Sequence, residues 1–162
     1  MDTFLVESSS NKAIGAVIEV AISRDMPAKK LGWQFTWKTL YKTEGSEFYK
    51  LTLWNSKDEL QGIIMLSLMF DEMLYMNNIE VAPHNIGSNG KYDNVAGNLI
   101  AFACRRSFVI GKNDYRGYLT FESKSELVSL YRKKYGATHA TGSRMFIDPK
   151  SGIQLINKFL KV

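Results

Sequence analysis

Apolar and polar residues alternate along much of the first half of the chain, and this period of two is typical of half-buried β-strands. Every second position from Ile14 to Ile22, for example, is apolar. The pattern predicts five strands in this half, over residues 4–6, 14–23, 48–54, 60–69 and 74–81. Short polar turns connect the last three, so we expect them to pair as an antiparallel meander.

The spacing of apolar residues changes to that of a helix after the fifth strand. Val95 and Leu99 begin a run at helical intervals that continues to Ile110. A strand is predicted over residues 116–121. Because a long helix precedes it, this strand can run parallel to the strand over residues 74–81 as a βαβ unit.

The C-terminal part is predicted to hold two more helices and a short strand. Ser123 and Glu126 form a capping-box pattern, which predicts a helix N-terminus at Ser123, and Gly136 suits the C-terminal cap. A strand follows over residues 144–147, and Pro149 begins the final helix.

Residues 31–42 have a mixed periodicity and are predicted as a helix. Trp33 and Trp37 would then lie one helical turn apart. We interpret them as core residues. The alternative is that they form the wall of a binding pocket, since tryptophan often lines such sites.

The segment over residues 77–106 holds the strongest candidate for a binding site. Pro83 ends the strand that contains Ile79 and Val81, and a loop rich in Gly and Asn leads to the helix. Backbone N–H groups at the start of that helix, together with its dipole, favour a phosphate or pyrophosphate. An ordinary strand–loop–helix connection is the alternative. The segment lacks G-x-x-x-x-G-K-[ST] and G-x-G-x-x-G, which argues against a P-loop nucleotidase and a dinucleotide-binding Rossmann unit.

The composition is that of an ordinary soluble globular protein, with 45% hydrophobic and 23% charged residues among 162. This length predicts one domain, over residues 1–162. A net charge of +5 favours anionic partners. The one cysteine, Cys104, excludes an intramolecular disulfide and is expected to be a partly buried, unreactive thiol. No stretch approaches the ~20 apolar residues of a membrane span and no signal sequence is visible, so we expect a cytoplasmic protein with no membrane partner.

The order of elements, with a strand that ends in IEVAP and a helix that ends in YRKKYGA, resembles the GNAT (Gcn5-related) N-acetyltransferase family, best over residues 74–147. The resemblance implies an α+β fold with a central, mostly antiparallel mixed sheet and flanking helices. It also implies acetyl-CoA as co-substrate and direct transfer of the acetyl group to an amine. The backbone of Ile79 and Val81 would pair with the pantetheine arm and polarise the thioester carbonyl.

The acetyl-CoA motif of that family, R/Q-x-x-G-x-G/A, is matched by KYDNVA. Lys91 falls at the Arg/Gln position and Ala96 at the final position, while Asn94 replaces the middle glycine and tolerates a left-handed backbone. The resemblance therefore implies a pyrophosphate-binding segment made of Lys91, Tyr92, Asp93, Asn94, Val95, Ala96 and Gly97. The loop before it is longer than usual for the family, and its Gly87 and Gly90 are an alternative source of amide donors.

The resemblance also implies a general acid on the later helix, where the family places a tyrosine that protonates the departing CoA thiolate. Tyr131 is the candidate and Tyr135 the alternative, while packing in the core is the competing interpretation of Tyr131. For the base that deprotonates the amine, the candidates are Glu80, His84 and water. Glu80 as a solvated charge and His84 as a structural imidazole are the competing interpretations. A metal site is not expected, since H-E-x-x-H and cysteine pairs are absent.

Three hypotheses for function follow. The first is an acetyltransferase whose acceptor is a small-molecule amine, a protein or a charged tRNA. The second is a non-catalytic binding module on the same fold, since the motif lacks its middle glycine. The third is a nucleic-acid-binding protein, suggested by a set of basic residues on two helices: Arg105, Arg106, Arg132, Lys133 and Lys134.

Overall fold

The computed structural model describes residues 1–160. Its strands are β1 (Asp2–Glu7), β2 (Lys12–Val20), β3 (Ser46–Leu53), β4 (Ser56–Met69), β5 (Met73–Val81), β6 (Tyr92–Asp93), β7 (Leu119–Glu122), β8 (Thr138–His139) and β9 (Arg144–Ile147). Its helices are α1 (Trp37–Leu40), α2 (Val95–Ile110), α3 (Val128–Tyr135) and α4 (Pro149–Phe159). Within these described residues, nine strands form one sheet in the order β6-β1-β2-β3-β4-β5-β7-β9-β8.

Strands β1 to β5 pair antiparallel in chain order, which confirms the predicted meander. Strand β7 lies parallel to β5 and is connected to it through α2, which confirms the predicted βαβ unit. The other pairs, β1 with β6 and β9 with β7 and β8, are antiparallel. The mixed sheet with flanking helices is therefore the α+β architecture that the family resemblance implies.

The apolar run at the centre of β4 explains why the core has two layers. Ile63 and Ile64 are both fully buried, although neighbouring side chains of a strand point to opposite faces of the sheet. Ile64 belongs to the larger cluster, which includes side chains of α2 and α4. Ile63 belongs to a second cluster with Trp33 and Trp37, which confirms both tryptophans as core residues. Trp33 also lines a cavity, so the alternative of a pocket wall holds for this residue as well.

The predicted helix over residues 31–42 is wrong. The chain there forms a 3₁₀ turn at Lys29–Leu31, continues through Gly32 at φ +99°, and then forms the four-residue helix α1. Both tryptophans of this segment pack into the second core cluster. Long-range packing therefore overrides local helix propensity here.

The predicted N-cap at Ser123 is also wrong. A 3₁₀ turn at Ser125–Leu127 precedes α3, and the Ser123 hydroxyl donates to the carbonyl of Lys124 at 2.9 Å. The C-terminal end follows the prediction, because Gly136 adopts φ +65° and its N–H donates to the carbonyl of Tyr131.

Cys104 is fully buried on α2, and burial raises the pKa of its thiol to about 12. Burial is complete where the sequence predicts partial burial, and the thiol is protonated near neutral pH, as expected of an unreactive cysteine. Among residues 1–160, no helix has the length and apolar character needed to cross a membrane.

Candidate active site

The parallel strands β5 and β7 diverge soon after they begin. Within the described part of the chain, they pair only at Leu74 with Leu119 and at Tyr75 with Thr120. Beyond this point a cavity of about 280 Å³ opens between them. Its walls are residues 76–81 of β5 on one side and residues 122–124 on the other. The divergence frees one edge of β5 from strand pairing with β7, so backbone groups there are available to a ligand.

A bulge in β5 lies at the start of this cavity. Leu66 of β4 pairs with Met76 and Met65 pairs with Asn78, so Asn77 is the extra residue. The side-chain oxygen of Asn77, Oδ1, accepts a hydrogen bond from the Ser67 hydroxyl at 2.8 Å. Bulges bend a strand and re-aim its side chains, so this one helps to separate β5 from β7.

A second cavity, of about 170 Å³, lies at the N-terminus of α2. Asn94 precedes the helix in a left-handed conformation, at φ +72° and ψ 15°, and among residues 1–160 its side chain makes no capping hydrogen bond. The first N–H groups of a helix have no partner within it, so this end can receive an anion. The cavity is lined by Tyr92, Asp93, Asn94, Val95, Ala96 and Gly97 of the predicted pyrophosphate segment, together with Val81, Asn85, Lys134, Tyr135 and Phe159.

Val81 lines both cavities, so the cleft between the strands and the cavity at the start of α2 lie next to each other. Ile79 lines the cleft between the strands. Lys91 is exposed and lies outside both linings, with its Nζ 5.5 Å from the centre of the Tyr92 ring. The structure thus brings together all the predicted cofactor-binding residues except Lys91.

Buried contacts support the N-terminus of α2. The sign of these contacts in the sequence is Asn98, a polar residue within an apolar run. Asn98 donates through Nδ2 to the carbonyls of Asn94 at 2.8 Å and Phe4 at 3.3 Å. Its Oδ1 accepts from the Thr3 hydroxyl. On the same helix, Gly97 touches the Phe159 ring so closely that a Cβ there would lie 2.4 Å from a ring carbon.

The long loop before the pyrophosphate segment is closed on itself. The N–H of Lys91 donates to the carbonyl of His84 at 3.0 Å, and that of Gly90 donates to the carbonyl of Gly87 at 3.1 Å. Asn85 joins the loop to the sheet, because its Nδ2 donates to the Gln61 side-chain oxygen at 2.9 Å. The Gly90 amide is therefore engaged within the loop, and neither loop glycine lines the cavity at α2.

Glu80 lies in the cleft and is buried, with 8% of its surface exposed. One carboxylate oxygen accepts from the N–H of Gln34 at 2.6 Å. The other accepts from the N–H of Phe35 at 3.1 Å and from Nε1 of Trp37 at 2.8 Å. The carboxylate therefore ties the segment before α1 to β5, and Gln34 and Phe35 become part of the cleft wall.

His84 lies in a different place. Its Nε2 is 2.8 Å from Oε1 of Gln61 and 3.4 Å from a carboxylate oxygen of Glu59. It lines a cavity of about 700 Å³ formed with residues 24–28 and 57–60, and this cavity contains neither Glu80 nor Tyr131. The two predicted bases are thus in separate cavities.

Tyr131 lines the cleft between the strands, and its ring packs 4.7 Å from that of Phe121, centre to centre. Burial raises the pKa of the Tyr131 phenol, so it is protonated near neutral pH. Tyr135 lines the cavity at α2 instead, and burial raises the pKa of this phenol to about 12. The two rings are 5.9 Å apart.

The basic residues of α2 and α3 have different surroundings. Arg106 is paired with Glu47, its Nε and Nη2 both donating to the carboxylate at 2.9 Å. Arg132 and Lys133 lie beside a separate cavity of about 630 Å³ with residues 136–139. Within residues 1–160, no group of three or more His, Cys, Asp and Glu side chains is arranged to hold a metal ion.

Strands β5 and β7 run parallel and then diverge beside the N-terminus of α2. The class of this fold is that of the GNAT acyl-CoA N-acyltransferases. No protein-family model and no curated protein sequence matches the chain. Solved structures are similar to this chain, and because their sequence identity to it is low, the likeness shows the fold alone.

Three of these structures illustrate the likeness. A mutant form of SpeG, a spermidine N-acetyltransferase from Vibrio cholerae, matches with a TM-score of 0.60 and 14% identity, over 85% of this chain and 96% of that one. The AtaTR structure bound with AcCoA matches with a TM-score of 0.56 and 14% identity, over 87% and 98%. The KacTA–DNA complex matches with a TM-score of 0.60 and 15% identity, over 88% and 99%.

Proposed function

We propose that this protein is an acetyltransferase that moves the acetyl group of acetyl-CoA directly to an amine. The observation that carries the proposal is the adjacency at Val81, which lines both the cleft between β5 and β7 and the cavity at the start of α2. A free strand edge suits a pantetheine amide chain, and an uncapped helix N-terminus suits a pyrophosphate. A neighbour of this fold has been solved with AcCoA bound, which supports the same co-substrate here.

In this proposal the pyrophosphate is held by amides at Asn94, Val95, Ala96 and Gly97. Asn94 takes the place of the middle glycine of the family motif, because it adopts the same left-handed conformation. That conformation, and not the residue type, directs the backbone amides toward the pyrophosphate. Acetyl-CoA supplies a thioester whose carbonyl carbon is open to attack. The backbone of β5 near Ile79 polarises that carbonyl and orients it toward the cleft.

Tyr131 is the general acid of this proposal. It lines the cleft, and burial keeps its phenol protonated by raising the pKa, so it can donate a proton to the departing thiolate. We assign the removal of the amine proton to water. Glu80 already accepts three hydrogen bonds and His84 lies outside the cleft, so neither is placed for that step.

The wall opposite β7 receives the acceptor. It combines amide side chains, Gln34, Asn77 and Asn78, with the exposed apolar surfaces of Phe35 and Ile86. The acceptor is found by measuring release of the CoA thiol against three classes of amine. These are polyamines such as the spermidine named for SpeG, peptides with free N-termini or lysines, and charged tRNA.

The cofactor is tested by calorimetric titration of acetyl-CoA into the wild type and three variants. Ala96→Glu places a carboxylate in the first turn of α2, where it complements the helix dipole but repels a pyrophosphate, so the fold is kept and binding is lost. Gln154→Glu adds the same charge on the exposed face of α4 and retains binding. Asn94→Gly preserves the left-handed turn and also retains binding.

Absence of binding to the wild type would contradict the proposal and favour the non-catalytic binding module. Equal binding by wild type and Ala96→Glu would place the cofactor elsewhere. Thermal denaturation gives a second reading, since a ligand at 100 times its Kd stabilises a protein by about 2.7 kcal/mol.

A further inference from the structure

Exposed apolar side chains from three separate segments meet in the cleft between β5 and β7. Phe35 precedes α1, Ile86 follows β5, and Leu127 ends the 3₁₀ turn before α3. Their surfaces are 38%, 56% and 37% exposed, although large apolar side chains are usually buried. Single exposed apolar residues are common on protein surfaces, whereas a group of them around one cleft marks a surface that binds an apolar ligand.

Phe35 is held in place from two sides. Its N–H donates to the Glu80 carboxylate at 3.1 Å, and its ring meets the Trp37 ring edge-on, 6.1 Å from centre to centre. Trp37 is fully buried, and its Nε1 donates to the same carboxylate at 2.8 Å. The exposed part of the Phe35 ring therefore has a rigid support, which lowers the entropy cost of binding a ligand against it.

The charged residues of the cleft are few and nearly balanced. Within residues 1–160, the lining holds two carboxylates, Glu80 and Glu122, and one ammonium, Lys124. The Glu80 carboxylate already accepts three hydrogen bonds, and the Glu122 carboxylate lies 3.8 Å from the Arg144 guanidinium. The formal charge of the lining is thus −1, which complements one ammonium group and not the several ammonium groups of a polyamine.

We propose that the acceptor is a primary amine with a single positive charge, attached to a large apolar group that packs against Phe35, Ile86 and Leu127. This inference rests on the proposed function, because it names the substrate class of the same cleft. The volume of about 280 Å³ admits the amine and one neighbouring apolar group beside the thioester, so any larger part of the acceptor stays outside. A free monoamine and the N-terminus of a peptide that begins with a large apolar residue share this chemistry.

The apolar group acts on binding and takes no part in the bond changes. The amine nitrogen forms a bond to the acetyl carbon while the carbon–sulfur bond breaks. The amine proton passes to water, the thiolate takes the proton of the Tyr131 phenol, and solvent restores the phenol. Loss of apolar contacts should therefore raise KM for the acceptor and leave kcat in place.

The first test compares four amines by release of the CoA thiol. The probes are phenylethylamine, a tripeptide amide that begins with phenylalanine, its counterpart that begins with glycine, and spermidine. We expect the better of the two phenyl-bearing probes to exceed the glycine peptide and spermidine by about 10–100-fold in kcat/KM, the effect of burying one large apolar side chain. A preference for phenylethylamine identifies a free monoamine as the source of this chemistry, and a preference for the peptide identifies an N-terminus.

The second test removes apolar surface from the cleft. Ile86→Ser changes an exposed loop residue, and Leu127→Ser changes the N-cap position of α3, where serine is common, so both variants should fold. We expect each to raise KM for the preferred probe at least ~5-fold, with kcat and the calorimetric affinity for acetyl-CoA retained. Val109→Ser is the matched control, because it removes an exposed apolar side chain of α2 outside the cleft, and it leaves KM unchanged.

The third test changes the charge of the cleft. Lys124 is exposed, so Lys124→Glu lowers the formal charge of the lining by two without burying a charge. A more negative cleft attracts a polycation, so we expect this variant to shift the ratio of kcat/KM values toward spermidine.

Three results would overturn the inference. A protein that binds acetyl-CoA but prefers spermidine or the glycine peptide, or acetylates neither phenyl-bearing probe, overturns it and leaves the proposed cofactor in place. An unchanged KM in both Ile86→Ser and Leu127→Ser would overturn it as well, since these side chains would then not contact the acceptor. Absence of acetyl-CoA binding to the wild type overturns the proposed function, and this inference with it.

Discussion

Glu80 offers the sharpest test of how the candidate active site is built. Its carboxylate accepts hydrogen bonds from Gln34, Phe35 and Trp37, and these bonds hold one wall of the cleft against β5. Replacing Glu80 by alanine removes all three acceptors at once. We expect this change to destabilise the protein and to release residues 34–36 from the cleft wall.

The expected loss of stability is estimated by adding the cost of each hydrogen bond that Glu80 accepts. The Trp37 ring is fully buried, so its N–H finds no water when the carboxylate is removed, and a buried unsatisfied donor costs about 1–3 kcal/mol. Gln34 and Phe35 are exposed residues whose N–H groups regain water, so each of these bonds contributes about 0.5–1.5 kcal/mol. The removal of a buried carboxylate recovers part of this loss. We therefore expect Glu80→Ala to lower the free energy of unfolding by about 2–4 kcal/mol.

Urea denaturation measures this loss, and amide hydrogen exchange at Gln34 and Phe35 shows whether the segment is released. Glu59→Ala is the matched control, because its carboxylate is half exposed and contacts only His84 among the paired residues described, so we expect a change within about 0.5 kcal/mol. Trp37→Phe, combined with Glu80→Ala in a double-mutant cycle, isolates the bond to the indole.

Two results would refute this reasoning. One is a loss by Glu80→Ala no larger than that of Glu59→Ala. The other is unchanged exchange of the Gln34 and Phe35 amides. If Glu80 were the catalytic base, Glu80→Gln would abolish turnover and its acid-side pH dependence. An anchoring role predicts instead a raised KM for the acceptor with the pH profile retained.

Tyr131→Phe removes only the hydroxyl. We expect kcat to fall by about 10²–10⁴, the usual contribution of a general acid, while calorimetric affinity for acetyl-CoA is retained; an unchanged kcat would leave Tyr131 as a packing residue. Because burial raises the pKa of Tyr131 above that of an ordinary phenol, wild-type activity should persist through neutral pH and fall only as the pH rises through that pKa, and this fall should be missing in the variant. Gly97→Ala brings a methyl group to 2.4 Å from the Phe159 ring, and such overpacking costs about 1–3 kcal/mol in urea denaturation. Phe159→Leu should make that substitution milder, and additive effects of the two changes would show that this contact is not the cause.

The elements that were predicted well from the sequence are those with local signals. The alternation of apolar and polar residues predicted the antiparallel meander, and the helical spacing of apolar residues predicted α2. Asparagine tolerates a left-handed backbone, which agrees with the φ of +72° at Asn94. Residues 31–42 could not be predicted in this way. Their backbone is set by a bond between Trp37 and Glu80, 43 positions apart, and by burial of Trp33, and neither leaves a periodic pattern.

The candidate site likewise contains residues that the sequence predicted and residues whose positions depend on long-range contacts. Loop-to-helix chemistry predicted the segment at α2, and the family resemblance predicted Tyr131 near the cleft. The position of His84 depends on Gln61, 23 positions earlier on the neighbouring strand β4, so the sequence alone could not separate it from the cleft. Asn98 was missed because its partners, Thr3 and Phe4, lie 95 and 94 positions away.

The support of α2 has a consequence for synthesis of the protein. The Thr3 hydroxyl donates to the carbonyl of Phe159 at 3.1 Å, across 156 positions of the chain, as well as to Asn98. Gly97 rests on the ring of the same Phe159. A nascent chain on the ribosome therefore cannot complete the cradle at the start of α2 until α4 has emerged. Any affinity for acetyl-CoA should accordingly arise only once α4 has docked, in one step with closure of the fold.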